Sequence, residues 1–416
     1  MVVLLAGCLP ASVDELYSLP QMSEEYIQLQ ELIAGQLDAG GSYAAPTGGS
    51  NRQSVQLHDL DGDGTAEALA FLADEDRSPV ICVYRRGEDG SFYQYVTILA
   101  EGTAVYSVDY ADLNGDGIDE FIVAWQIGGD LRQLSVYALS HAEEDGQTRL
   151  RLLSADCTRF VVFDLDGDGV DDLLDLSMSA GSNGSLIMYT LDEQGRAGSA
   201  EAGLSSGVSA IRRAVAGKLA DGTAALFVES DMGNQGLVTD IFIARDRRFT
   251  NIAMSSLGRS ALLRPDGLFS ADLNGDGSME IPAGSGEFIP WYAMDAGGGM
   301  VQTATTYHNA EDGWYLALPR GMGGNVTAER HGAGGDERAV VFLQEGDDSA
   351  PQRSVLVIYA LTGANRLDRA EVDSRFILRQ DEDVVYAAQL LTDELTQEDI
   401  LNNFYILYDQ WQTGDL

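Results

Sequence analysis

One nine-residue phrase occurs four times: "DLDGDGTAE" from Asp59, "DLNGDGIDE" from Asp112, "DLDGDGVDD" from Asp164 and "DLNGDGSME" from Asp272. Each copy places Asp or Asn at positions 1, 3 and 5, an acid at position 9, and Gly at positions 4 and 6. The glycines admit positive φ, so the backbone curls tightly and alternate side-chain oxygens point to one centre. Position 7 can add its backbone carbonyl, which leaves its side chain free to vary. Without a cation, carboxylates gathered this closely repel one another. Hard oxygen donors at such density select Ca²⁺ over Zn²⁺, which prefers His and Cys. The alternative is a set of solvated acidic turns.

The first three copies start 53 and 52 residues apart, and the fourth follows after 108, two periods. A worn copy is therefore predicted near 217, where "VAGKLADGTAALFVES" keeps Asp221-Gly222 and the strand after the loop. Around the first loop, "SVQLHDL", "EALAFLAD", "PVICVYRR" and "FYQYVTIL" alternate like strands between Gly/Asp/Asn turns. Four strands in a period of about 50 residues is the size of a β-propeller blade. Continuing the count places later repeats on "DGWYLALPRGMGGNVTAER" and "SRFILRQDEDVVYAAQLL". The expected fold is all-β: a β-propeller of about seven four-stranded blades, or about six with the last segment as a cap. Short helices flank it. In "SEEYIQLQELIAGQLDAGG", Ser23 is the N-cap and Tyr26, Leu29, Leu32, Ile33 and Leu37 share a face. In "LTQEDILNNFYILYDQW" a helix near 397–411 is capped by Thr396, with Asp399 three residues on.

Two relatives of the loop separate at its end. An EF-hand needs a bidentate acid at position 12 and a following helix. Here position 12 is Ala70, Val123, Asp175 or Ala283, and strand-like runs follow. An acid at position 9 before a strand resembles instead the integrin-type propeller repeats of the FG-GAP/VCBS family. The resemblance covers residues 54 to 310 best; the clear "FG…GAP" phrase is absent and the fourth, sixth and seventh repeats are worn. It implies calcium ligands at Asp59, Asp61, Asp63, Thr65 and Glu67, then at Asp112, Asn114, Asp116, Ile118 and Glu120. The third set is Asp164, Asp166, Asp168, Val170 and Asp172, and the last Asp272, Asn274, Asp276, Ser278 and Glu280. About four Ca²⁺ sites are thus expected, each bracing a blade.

The chain carries 66 acids against 25 bases, a net charge of −41, and a single lysine, Lys218. Such a polyanion repels nucleic acid and attracts cations, so nucleic-acid partners are excluded. Near the start, Leu5-Ala6-Gly7-Cys8 resembles the lipobox of bacterial lipoproteins, without a basic segment before it. The resemblance implies a lipid on Cys8, anchorage to the cell envelope on its extracytoplasmic face, and residues 1–8 as a signal remnant. A tether, the first helix and a strand that could close the ring then fill 9–53, and the propeller fills 54–416. No apolar run reaches the length of a transmembrane helix. Cys82 and Cys157 can pair or remain buried free thiols.

Catalytic motifs are missing from the sequence: no nucleophile elbow, zinc-binding helix or phosphate loop occurs. His58, His141, His308 and His331 stand in unrelated contexts, and His58 reads as a packing partner of the first loop. Trp125, Trp291, Trp314 and Trp411, with Tyr292 and Tyr315, could stack on sugars or pack between blades. Two functions are expected to compete. One is a non-enzymatic surface propeller that binds a protein or glycan. The other is an enzyme, a lyase or hydrolase acting on extracellular polysaccharide, whose channel would gather Arg, Tyr and His.

Overall fold

The computed structural model describes residues 24–129, 131–139, 151–178, 184–192, 194–245, 248–322, 326–332, 335–345 and 352–407. Among these residues, antiparallel strands build six sheets in chain order, the smaller of the two expected counts. The fold is all-β, and each sheet has the four- or five-stranded meander of a propeller blade. Second strands are buried on both faces, as in Glu67–Ala73, Glu120–Gly128 and Ala224–Asp231. A sheet flanked by neighbours on both sides demands this, which is why those segments read as continuous apolar runs. Outer strands are less buried: Arg151–Cys157 is largely half-buried or exposed, and Ala197–Gly203 is mostly exposed and carries small or polar residues.

The chain divides into two compact units, Met1–Phe160 with Thr190–Gly198, and Val161–Tyr189 with Ser199–Leu416. In the first, the helix Glu24–Asp38 buries Leu29 and Ile33 on the first sheet, against Ala68, Ala70, Cys82 and Tyr84. Tyr26 stays exposed, and Ser23 lies outside the described residues. The chain then reverses at Gly40, whose φ of 102° suits glycine. Ser42–Tyr43 pairs with Leu72 and Ala73, and the amides of Thr47 and Gly48 bond the carbonyls of Val105 and Tyr106. The strand expected to close a ring is therefore laid along the first sheet and leads to the second. Leu60, Phe71, Val83, Val123 and Trp125 form the core these two sheets share.

The second unit holds most of the third sheet and the fourth to sixth sheets. Leu174, Leu226 and Phe242 fill the space between the third and fourth, and Phe227, Ile281 and Met294 that between the fourth and fifth. Tyr307, Trp314, Phe342 and Leu356 join the fifth to the sixth. The segment near 378 makes no blade of its own. Phe376–Gln380 and Val384–Leu390 form a hairpin that extends the sixth sheet beyond Arg353–Thr362. The helix expected over 397–411 is likewise shorter, Gln397–Leu401. Its capping box of Thr396 and Asp399 is present, but the Asn403 amide bonds the Asp399 carbonyl and closes the helix. Phe404–Ile406 then runs as a strand beside Trp314–Leu316 and completes the fifth sheet. Aromatic packing of Phe404 on Trp314 and Tyr386 favours the extended form there.

Candidate metal loops and an adjoining cleft

Three of the acidic loops join successive paired strands of one sheet, the loop at Asp272 leads from the isolated Ala271–Glu280 bridge into Glu280–Pro282, and all four share one hydrogen-bond scheme. The position 1 aspartate accepts two glycine amides: Gly62 and Gly64 donate to Asp59, Gly115 and Gly117 to Asp112. Gly167 and Gly169 do so to Asp164, and Gly275 and Gly277 to Asp272. Each of these eight glycines has φ between 74° and 92°. The position 5 acids accept the amide of position 7, as Asp63 does from Thr65 and Asp168 from Val170. The loop is thus pre-curled with its acids turned inward.

Position 9 is where charge meets burial. Glu67, Glu120, Asp172 and Glu280 are at most 5% exposed, and each accepts the amide of the leucine at position 2. Burial pushes Glu67 and Glu120 up to about 7 and Asp172 up to about 6, and the neighbouring acids add to the rise. Glu280 is raised for the same reason. In the metal-free protein these sites therefore hold back positive charge's natural place: a buried acid beside other acids. The leucines Leu60, Leu113 and Leu165 are themselves buried and fasten the loops to the core. Their recurrence at position 2 was a signal in the sequence that the ligand pattern alone passes over.

The donor sets differ. In the third loop Asp164, Asp166 and Asp172 bring one oxygen each within 4.8 Å of one another, an all-oxygen group suited to a hard cation. No ion pair among the described residues involves them. In the second loop and the one at Asp272, Asn114 and Asn274 donate to Glu120 and Glu280 at 2.7 and 2.6 Å. Turned over, the same amides would offer an oxygen to an ion. In the first loop Asp59, Asp61 and Glu67 also converge, but Arg85 lies 2.6 Å from Asp61.

The first two loops touch. His58 Nε2 is 2.6 Å from Asp119 Oδ2, and its ring stacks on Tyr110 at 4.2 Å. A Cβ on Gly62 would meet Ile118 at 2.8 Å. Beside them a cleft of about 510 Å³ is lined by Asn51, Gln53, Gln56, His58, Asp109 and Tyr110, with Val55 and Leu57. Tyr110 donates to Gln56 at 2.6 Å inside it.

The other candidates are dispersed. Trp125, Trp291, Trp314 and Tyr315 are buried in the cores, which assigns them to packing. His308 is buried, bonded to Thr306 and held down to about 4 by that burial, while His331 is exposed. Cys82 and Cys157 are buried and are not bridged to each other. Cys8, His141 and Trp411 lie outside the described residues.

The FG-GAP-like repeat profile matches residues 59–123, the first two loops and the sheet between them. Over those residues the chain is similar to FG-GAP-like repeats. No curated protein matches it. Among solved structures it is similar to a periplasmic gluconolactonase, PpgL, of Pseudomonas aeruginosa, at 14% identity and a TM-score of 0.29, covering 75% of this chain and 92% of that one.

Proposed function

We propose that this protein is a calcium-braced, non-enzymatic surface lipoprotein of the FG-GAP repeat type whose first unit binds an extracellular protein or glycan. The observation that carries the calcium reading is the third loop, where three acids converge with no base among them. Asp164, Asp166, Asp168 and Asp172 would hold the ion, with the Val170 carbonyl; the second loop and the one at Asp272 offer the corresponding sets. A bound Ca²⁺ supplies the charge that ionises the buried position 9 acids and staples the first strand to the second.

For the ligand, the cleft at Asn51–His58 is the favoured place. Its amides, carboxylate and aromatic rings suit sugar hydroxyls and ring faces better than an apolar guest, which favours a glycan. The envelope anchor rests on the lipobox around Cys8. Three measurements test these proposals. Calcium titration with a chelator control reads the ions, and an unchanged melt in excess chelator rejects them. A glycan array probed with the wild type and with Gln53→Trp, which fills the cleft, reads the ligand; binding that survives the substitution rejects the cleft. Mass spectrometry of the membrane fraction reads the anchor, and an unmodified Cys8 peptide rejects it.

A further inference from the structure

The first loop differs from the other three in one side chain. In the first sheet Ala68 pairs with Tyr84, so the next residue, Arg85, lies across from Glu67. Tyrosines hold the matching place in the other complete repeats: Tyr137 opposite Phe121, Tyr189 opposite Leu173 and Tyr292 opposite Ile281. The residue after that tyrosine is Ala138, Thr190 or Ala293. Three repeats therefore leave the space beside the position 9 acid to a small neutral group, and one fills it with a guanidinium.

Arg85 is held there deliberately by its surroundings. Nη2 lies 2.6 Å from Asp61 Oδ2, and Nε lies 3.9 Å from Glu67 Oε1. That Nε is buried without a hydrogen-bond partner, so it acts on Glu67 as a charge. The guanidinium carbon sits 4.1 Å from the centre of the Tyr95 ring. Tyr95 is the extra residue of a bulge, since Val83 pairs with Val96 and Tyr84 with Gln94. A bulge re-aims a side chain, and here it brings the ring to the face of the arginine.

We propose that Arg85 is the resident cation of the first loop, that this loop takes no calcium, and that the chain binds three ions where four phrases occur. A tethered guanidinium neutralises the same acids as an ion would, and it excludes a divalent cation both by charge and by occupying Asp61. The proposal rests on the calcium reading of the other loops, and the experiment separates the two.

The experiment counts bound calcium per chain by equilibrium dialysis at saturating Ca²⁺ on the full chain. The wild type is expected to bind three ions and Arg85→Ala four. In chelator Arg85→Ala is expected to melt below the wild type, and calcium is expected to restore it. Asp63→Asn, which keeps the acceptor for the Thr65 amide, leaves the wild-type count at three, whereas Asp168→Asn in the third loop lowers it by one. Four ions on the wild type, or a count that falls with Asp63→Asn, overturns the proposal even if Arg85→Ala fails to fold. No calcium on the wild type but one ion on Arg85→Ala sinks the calcium reading of the other loops and sustains the role of Arg85. No calcium on either protein overturns both.

Discussion

Glu120→Gln should change sign with calcium. Glu120 is 1% exposed, accepts the Leu113 amide at 2.9 Å and the Asn114 amide at 2.7 Å, and burial pushes it up to about 7. In the metal-free protein the folded state keeps this proton up to about pH 7, while the unfolded chain loses it near 4.5. Stability from this group is complete below 4.5 and declines as pH rises through 7, by about 3 kcal/mol in all. Gln has the shape of Glu and no charge. At pH 8 in chelator it removes the deficit, offset by about 1 kcal/mol for turning Asn114 to face the new amide. The net gain is roughly 1–2 kcal/mol, or about 1–2 °C per kcal/mol in a chain of this length. With calcium at about 100 times Kd, the wild type gains about 2.7 kcal/mol from the second loop and the variant forfeits it. The ranking of the two proteins therefore inverts between chelator and calcium. Thermal melts at pH 8 and pH 5 in each condition measure it. A variant that is weaker than wild type by the same amount in both conditions refutes the reasoning, because a purely structural hydrogen bond behaves that way.

Three further outcomes are expected. Gly62→Ala and Gly167→Ala each force alanine to a φ near 75°, at about 1–2 kcal/mol, but only the first also meets a neighbour, Ile118. Gly62→Ala should thus be the more damaging in urea titrations, and Ile118→Ala should erase the difference. His308, held down to about 4 by burial, stays neutral in the fold while the unfolded chain takes up a proton near 6.5. Its stability contribution is present above 6.5 and lost as pH falls towards 4, by about 3 kcal/mol, so His308→Phe should flatten the acid limb of stability against pH. Arg264 and Glu229 are fully buried and paired at 2.8 Å, so Arg264→Met leaves the buried acid with only the more distant Arg213 at 3.7 Å and should cost about 3–5 kcal/mol, much of it recovered by adding Glu229→Gln. Equal losses in the single and double variants would show that packing, rather than the stranded charge, sets that cost.

The repeat was legible because ligation and curling demand specific residues at fixed places. Gly at positions 4 and 6 and acids at 1, 5 and 9 leave little freedom, and even the worn copy at Asp221-Gly222 forms its turn between the expected strands. What the sequence hid depends on partners far along the chain. Phe376–Gln380 looks like the start of a blade, yet it folds back on Val384–Leu390, because only a register assigns a strand to a sheet. Phe404–Ile406 continues a helical pattern until Trp314 is beside it. Arg85 was likewise visible only as half of "RR" at the end of a strand. Its meaning comes from the pairing of Ala68 with Tyr84 and from a bulge at Tyr95.

Bracing of the blades need not use one device. Where the loop is worn, Asp221 accepts the Thr223 amide and the Ala296 amide in a turn of the fifth sheet at 3.2 Å, and among the described residues it joins no converging group of three acids. The same fourth sheet contains Glu229, which accepts from Arg264 Nη2 at 2.8 Å and has Arg213 at 3.7 Å; Arg213 also reaches the Ser270 carbonyl. Arg264 in turn donates to Thr239 and to the Leu268 carbonyl. These contacts tie the fourth sheet to the segment that leads into the next acidic loop, the task an ion performs between adjacent strands elsewhere. Burial pushes Glu229 up and Arg264 down, and their attraction opposes both shifts, so the pair holds only while both members are present. The proposed calcium, a guanidinium on the neighbouring strand and a buried ion pair would thus answer one electrostatic problem, that of carboxylates crowded where strands turn. Only the first of them could be removed by a chelator, so on the proposed calcium reading the rigidity of the second, third and fifth sheets should follow the calcium concentration.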